Sequence, residues 1–310
     1  QALTTLTSGD YNTALGYQTG DALTTGAGNI FIGQSAGTAT TDVDKAIIIG
    51  RDAGAANMTS DADGTIGIGY QAAKSITSGQ GNVAIGYNAL ELEDTGDFNV
   101  AIGYEALNAQ TGTAGEMGST VMGYKAGTSL TTGKGNTLLG YDAGRYQTTQ
   151  TYNTVVGWQS SKRNYKGEHI VTIGAEAGHY STGSYNTFVG SQAGKGGTTS
   201  APFSSGINNT AVGYQALDAF TTGYENVAIG SGAGTNLSTG YTSTFVGHSA
   251  GASVTTAGNN TFIGYAAGLG TTGTGNAVLG NHAMKAGAGD AAYNTAVGGG
   301  SLYAITSGDK

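Results

Sequence analysis

The chain has 310 residues, of which 57 are glycine, one is proline and none is cysteine; twelve Lys and Arg against twenty Asp and Glu give a formal net charge of −8. The absence of thiols excludes disulfides and thiolate metal centres, and so few cations exclude the basic stripe that nucleic-acid binding requires. Glycine lacks the every-third-residue spacing of collagen and 38% of the residues are hydrophobic, enough for a core, so the chain reads as folded rather than disordered.

Taken in chain order, the predicted elements are all of one kind, a short apolar strand ending in glycine. The terminal glycines are Gly16, Gly33, Gly50, Gly69, Gly86, Gly103, Gly123, Gly140, Gly157, Gly174, Gly190, Gly213, Gly230, Gly247, Gly264, Gly280 and Gly298, most often 17 residues apart. The best-kept copy runs from Asn209 to Leu217, NTAVGYQAL. A fixed period this short means stacked coils. We therefore predict an all-β protein, a parallel β-solenoid or β-roll of about seventeen 17-residue coils forming one continuous domain over residues 1–310. With stacked strands about 4.8 Å apart, the expected rod is roughly 80 Å long.

Columns through the repeat give each position a role. The residue before the glycine is never polar, from Leu15, Ile32 and Ile49 to Val297, and is expected to form the core. Two positions earlier the residue is β-branched in sixteen of seventeen copies, Ala277 being the exception, which marks a strand. Alanine stands three residues after the glycine in fourteen copies, suiting a narrow interior. Asn12, Asn29, Asn82, Asn99, Asn136 and Asn153 share one corner, where stacked amides are expected to form a ladder.

Neighbouring residues of a strand point to opposite faces, so the position between these two apolar columns is expected to face outward. It is apolar as well, with Thr172 as the one polar member. Its large side chains, Phe31, Ile48, Val121, Leu138, Val155, Phe188, Phe245 and Phe262, are expected to form an interface between copies in a parallel homo-oligomer, because monomers seldom leave such a stripe in water. The alternative is a monomer in which both faces contribute internal layers.

The strings Asn82 to Gly86, Asn99 to Gly103 and Asn226 to Gly230, all NVAIG, resemble the head repeat of trimeric autotransporter adhesins, and similar repeats occur in phage tail fibres. The resemblance covers essentially the whole chain. It implies a left-handed parallel β-roll, three chains around one axis in a trimeric rod, an extracellular place on a cell surface or virion fibre, and binding to matrix proteins, cells or glycans.

Candidate binding residues sit where the repeat is broken or its composition shifts. Asp42 and Asp44 lie about one repeat before Asp61 and Asp63, and four stacked carboxylates suit calcium. Three intervals run long: one contains Asp61 to Gly64, another Thr113 to Gly118, and the third, Gly196 to Asn208, holds the single proline, Pro202, followed by Phe203. The coil opening on Trp158, the single tryptophan, carries Lys162, Arg163, Tyr165 and Lys166, an aromatic and basic patch suited to an acidic glycan or a protein receptor. Tyrosine follows the glycine at Tyr17, Tyr70, Tyr87, Tyr104, Tyr124, Tyr141, Tyr214 and Tyr265.

The four histidines fall in different coils or at different corner phases and make no metal site or triad, and the glutamates are spread along a narrow rod. No catalytic residues are expected, and no cofactor beyond calcium. The longest aliphatic run, Ala46 to Ile49, is too short for a membrane span, and no leader stands at Gln1. The expected function is a non-enzymatic fibre or adhesin segment attaching to a cell or host surface. The alternatives are an extracellular filament stacked end to end and an ice-binding solenoid using the pairs Thr24-Thr25, Thr131-Thr132, Thr221-Thr222 and Thr271-Thr272.

Overall fold

The computed structural model describes residues 1–112, 115–197, 203–285 and 290–303. The chain is a parallel β-solenoid with almost no helix and comprises two compact units, Gln1–Asn153 and Thr154–Lys310. In the first, eight three-residue strands stack: Thr13–Leu15, Ile30–Ile32, Ile47–Ile49, Ile66–Ile68, Val83–Ile85, Val100–Ile102, Thr120–Met122 and Thr137–Leu139. In the second, nine do so: Thr154–Val156, Val171–Ile173, Thr187–Val189, Thr210–Val212, Val227–Ile229, Thr244–Val246, Thr261–Ile263, Ala277–Leu279 and Thr295–Val297. Within each unit a strand pairs in parallel with its copy one coil on, equivalent residue against equivalent residue, as Thr13 with Ile30 or Phe245 with Phe262.

The long intervals hold the exceptions. A 3-10 turn, Ser60–Ala62, lies in the first, and Gly115–Glu116 of the second pairs with Gly96–Asp97 in a separate two-stranded sheet.

Strand polarity is the reverse of the sequence expectation. The middle residue of each strand points inward, and Phe31, Ile48, Val121, Leu138, Val155, Phe188, Phe245 and Phe262 are all fully buried within their own chain. They form the core and cannot be an interface between copies. The third residue, assigned to the core from sequence, points outward and is half-buried or exposed, with Met122, Leu139, Ile229 and Leu279 between 40% and 50% accessible.

Volume explains why the middle residue belongs inside. Six residues further on lies a second interior position, held at positive φ, and the two side chains compensate each other. Phe31 is matched by Gly37, Ile48 by Gly54, Leu138 by Gly144, Phe188 by Gly194 and Phe262 by Gly268, whereas Ala84, Ala101 and Ala211 are matched by Leu90, Leu107 and Leu217. Where a small middle residue stands with glycine, the space belongs to the next coil: a Cβ on Gly20 would meet the Phe31 ring at 2.8 Å, and one on Gly234 the Phe245 ring at 2.8 Å. The interior is close-packed, with large side chains met by glycine or alanine at most levels. The narrowness read from the alanine column holds too, since Ala36, Ala89, Ala143, Ala216 and Ala250 are fully buried.

The strand-ending glycine is required on two counts. At Gly230 φ is +132°, a region closed to L side chains, and a Cβ there would lie 2.6 Å from the carbonyl of Gly247 on the next coil. The corner asparagines form the expected ladder: Asn226 Nδ2 donates to the Gly240 carbonyl at 2.9 Å and to Asn209 Oδ1 at 3.1 Å, while Asn226 Oδ1 accepts from Ser243 N at 3.0 Å. Asn12 and Asn29 repeat the pattern, and Asn29 is fully buried. Each amide thus satisfies backbone groups that a tight corner would leave unpaired.

Candidate binding surfaces

Two outward features run along the stacked strands. One is the apolar third-position file, Leu15, Ile32, Ile49, Ile68, Ile85, Ile102, Met122 and Leu139 in the first unit, with the equivalent residues from Val156 to Val297 in the second. The other is the tyrosine column two residues beyond it. Tyr70, Tyr87, Tyr104, Tyr124 and Tyr141 stack with ring centroids 4.9 to 5.3 Å apart. The Arg51 guanidinium lies 4.7 Å above Tyr70, and Lys125, 3.3 Å from Glu105, sits over Tyr104 and Tyr124. The rings cover one another's faces, so the column offers edges and hydroxyls rather than flat platforms.

The aromatic and basic patch is split by the structure. Trp158 stands half-exposed at the tyrosine-column position and is not among the residues that line the pocket formed nearby. Tyr165, Lys166 and Phe203 do come together, lining that pocket of about 540 Å3 with Thr182, Ser184 and Ile207. Tyr165 and Phe203 stack at 5.5 Å, Phe203 and Tyr180 at 5.9 Å, and Arg163 Nη1 donates to the Tyr165 hydroxyl at 3.3 Å. Lys162 lies toward His179 of the next coil, where burial lowers the imidazole pKa and the Lys162 charge adds to the shift. Pro202 lies outside the described residues.

Asp44 and Asp63 stack, and one oxygen of each serves the backbone. Asp63 Oδ1 accepts from Asp44 N and Asp44 Oδ1 from Ala27 N, each at 2.7 Å, while Asp42 Oδ1 accepts from the Thr41 hydroxyl. Asp97 caps Gln80 N in the same way at 2.8 Å. Asp61 stands apart on the 3-10 turn, beside a second hollow. Among the described residues no group of three or more His, Asp or Glu is placed to hold a metal ion. The first threonine of each pair is engaged, Thr24 donating to Thr41 O, Thr131 to Thr148 O and Thr221 to Ser238 O, with Thr271 buried, whereas Thr25, Thr132 and Thr222 are exposed.

Two polar clusters give little sign of themselves in the sequence. Glu93 is fully buried, and its Oε1 accepts from the amides of Asp94, Thr95, Gly96 and Gly112 at 2.7 to 3.2 Å. It occupies a corner position that is Ile76 one coil earlier, Gln110 one coil later and Leu130 two coils later, so a lone acid in a column of mixed apolar and neutral polar residues is the available signal. In the second unit Glu176 Oε2 accepts from Lys195 Nζ and Gln192 Nε2, both at 2.9 Å, and Gln192 Oε1 accepts from Gln215 Nε2 at 2.8 Å. Burial would raise the Glu176 pKa, but these donors outweigh it and hold it below the usual carboxylate range.

No protein-family model matches this chain. Nor does any curated protein. Its chemistry therefore rests on its own geometry. Among the described residues no helix is long and apolar enough to cross a membrane.

The second unit also carries a pH-sensitive residue. His179 is 5% exposed and its Nδ1 has no hydrogen-bond partner; burial lowers its pKa to about 4, with Glu176 opposing and Lys162 and Lys195 adding to the shift. Between pH 6.5 and about 4 the unfolded chain therefore holds more protons than the folded one, and stability falls as pH drops through that window. The urea midpoint of the second unit should decline from pH 7 to pH 4.5, and His179→Asn should flatten that decline; an unchanged slope in the variant would refute the assignment.

Proposed function

We propose that the chain is a non-enzymatic structural fibre segment, working outside the cell, that assembles with copies of itself and serves attachment to a cell or host surface. One observation carries this reading: the outward third-position file is apolar in all seventeen strands. Covering a half-exposed Ile or Leu gains about 1 kcal/mol. Summed over the eight strands of the first unit, this is of the order of the cost of association. In-register parallel strands give the file one residue per coil, so a sister chain with the same period meets it without a change of register. The resemblance of the NVAIG strings to adhesin heads supports three copies around one axis.

Sedimentation equilibrium of the purified chain tests the assembly and should give close to three times its 30.7 kDa mass. A monomer at micromolar concentration would refute it, and a mass rising without plateau would favour an end-to-end filament instead. Attachment is scored separately, by retention of fluorescently labelled protein on whole cells.

A further inference from the structure

We propose that the pocket walled by Tyr165, Phe203 and Ile207 binds an acidic pyranose saccharide, a short oligomer of uronic acids. The proposal rests on the attachment reading and gives it a ligand; it does not depend on the number of copies in the assembly. The wall is aromatic, with Phe203 stacked against Tyr165 at 5.5 Å and Arg163 Nη1 donating to the Tyr165 hydroxyl at 3.3 Å. Such an apolar wall suits the C–H groups of a sugar ring, while Thr182, Ser184, Ser205 and Lys166 line the remainder.

Charge selects the acid. Lys162, Arg163 and Lys166, three of the twelve cations of a chain with net charge −8, fall within five residues. Lys166 lines the pocket, and among the described residues no carboxylate pairs with its side chain, so its charge is available to a ligand carboxylate. A peptide is a poorer occupant, because the backbone beside the pocket is already paired from coil to coil: Thr182 N donates to Ser204 O and Ser205 N to Thr221 O, each at 2.7 Å. These paired amides leave no strand edge there for a peptide to extend. The ligand must be read by side chains.

The full chain is titrated with trigalacturonate and with its neutral methyl ester, followed by saturation-transfer NMR. The acid should bind with a Kd on the order of 1 mM. Lys166→Gln should weaken the acid about 10-fold, the loss of one charge-assisted hydrogen bond, and leave the ester unchanged. Phe203→Ala should abolish both, with sedimentation and thermal melting as in the unaltered chain. Equal binding of acid and ester, or no effect of Lys166→Gln, would overturn the choice of an acidic ligand. Failure of both saccharides to bind would overturn the site; if labelled protein were still retained on cells, attachment would stand without this pocket.

Discussion

Phe245→Ala should destabilise the second unit by about 3 to 5 kcal/mol, and Gly251→Leu added to it should restore at least half of that loss. Phe245 is fully buried, and a Cβ on Gly251 would enter the space of its ring, so the two positions share one volume. The coil at Ala211 and Leu217 shows the same backbone carrying the reverse assignment, with Leu217 at a φ of +51° and Gly251 at +62°. Gly251→Leu alone should be among the worst single changes, because the leucine and the phenylalanine cannot both fit. Urea unfolding of the two single variants and the pair measures the coupling. Additive losses would mean that the two positions do not share one site.

Gly230→Ala should cost about 3 kcal/mol or more. Two penalties combine there, a left-handed backbone that alanine resists and a Cβ placed 2.6 Å from the Gly247 carbonyl. Because each coil leans on its neighbours, the damage should spread to the flanking strands, Thr210–Val212 and Thr244–Val246, and appear as faster amide exchange in both. Gly232→Ala makes the control. Its φ is +66°, the equivalent residue elsewhere is commonly Gln, and its Cβ would meet nothing nearer than the Ser249 hydroxyl at 3.6 Å, so it should cost about 1 kcal/mol. Equal losses at the two glycines would show that close approach between coils is not the reason glycine recurs at the strand end.

Much of this architecture is legible in the sequence, because a repeat dictates register. Once Gly33 follows Gly16 by 17 residues, Ile30 must lie over Thr13 and Asn29 over Asn12, and the amide ladder follows. The direction of the strand faces is not legible from period alone. Phe245 and Val246 are both apolar, and alternation cannot say which of two apolar neighbours points inward. The pairing of large with small six residues apart does say so, because only side chains sharing a cavity need to compensate in volume. The pocket at Tyr165 is half legible: Tyr165 and Lys166 stand out by composition, whereas the approach of Phe203 and Ile207 depends on the path of a long interval that obeys no repeat. Trp158 misleads, since a rare residue at a repeat position takes the place its column dictates.

The proposed self-assembly requires the third-position file to face a sister chain. The protein has no cysteine, so a single one can be placed at Ile229, whose side chain is 41% exposed, with Ala228→Cys, fully buried, as the comparison. On mild oxidation of the assembled protein Ile229→Cys should give disulfide-linked dimers in high yield, because equivalent residues of parallel copies meet at the covered face, and Ala228→Cys should give none. An Ile229→Cys chain that stays uncrosslinked and reacts with a water-soluble maleimide at the rate of a free surface thiol would contradict assembly through this face.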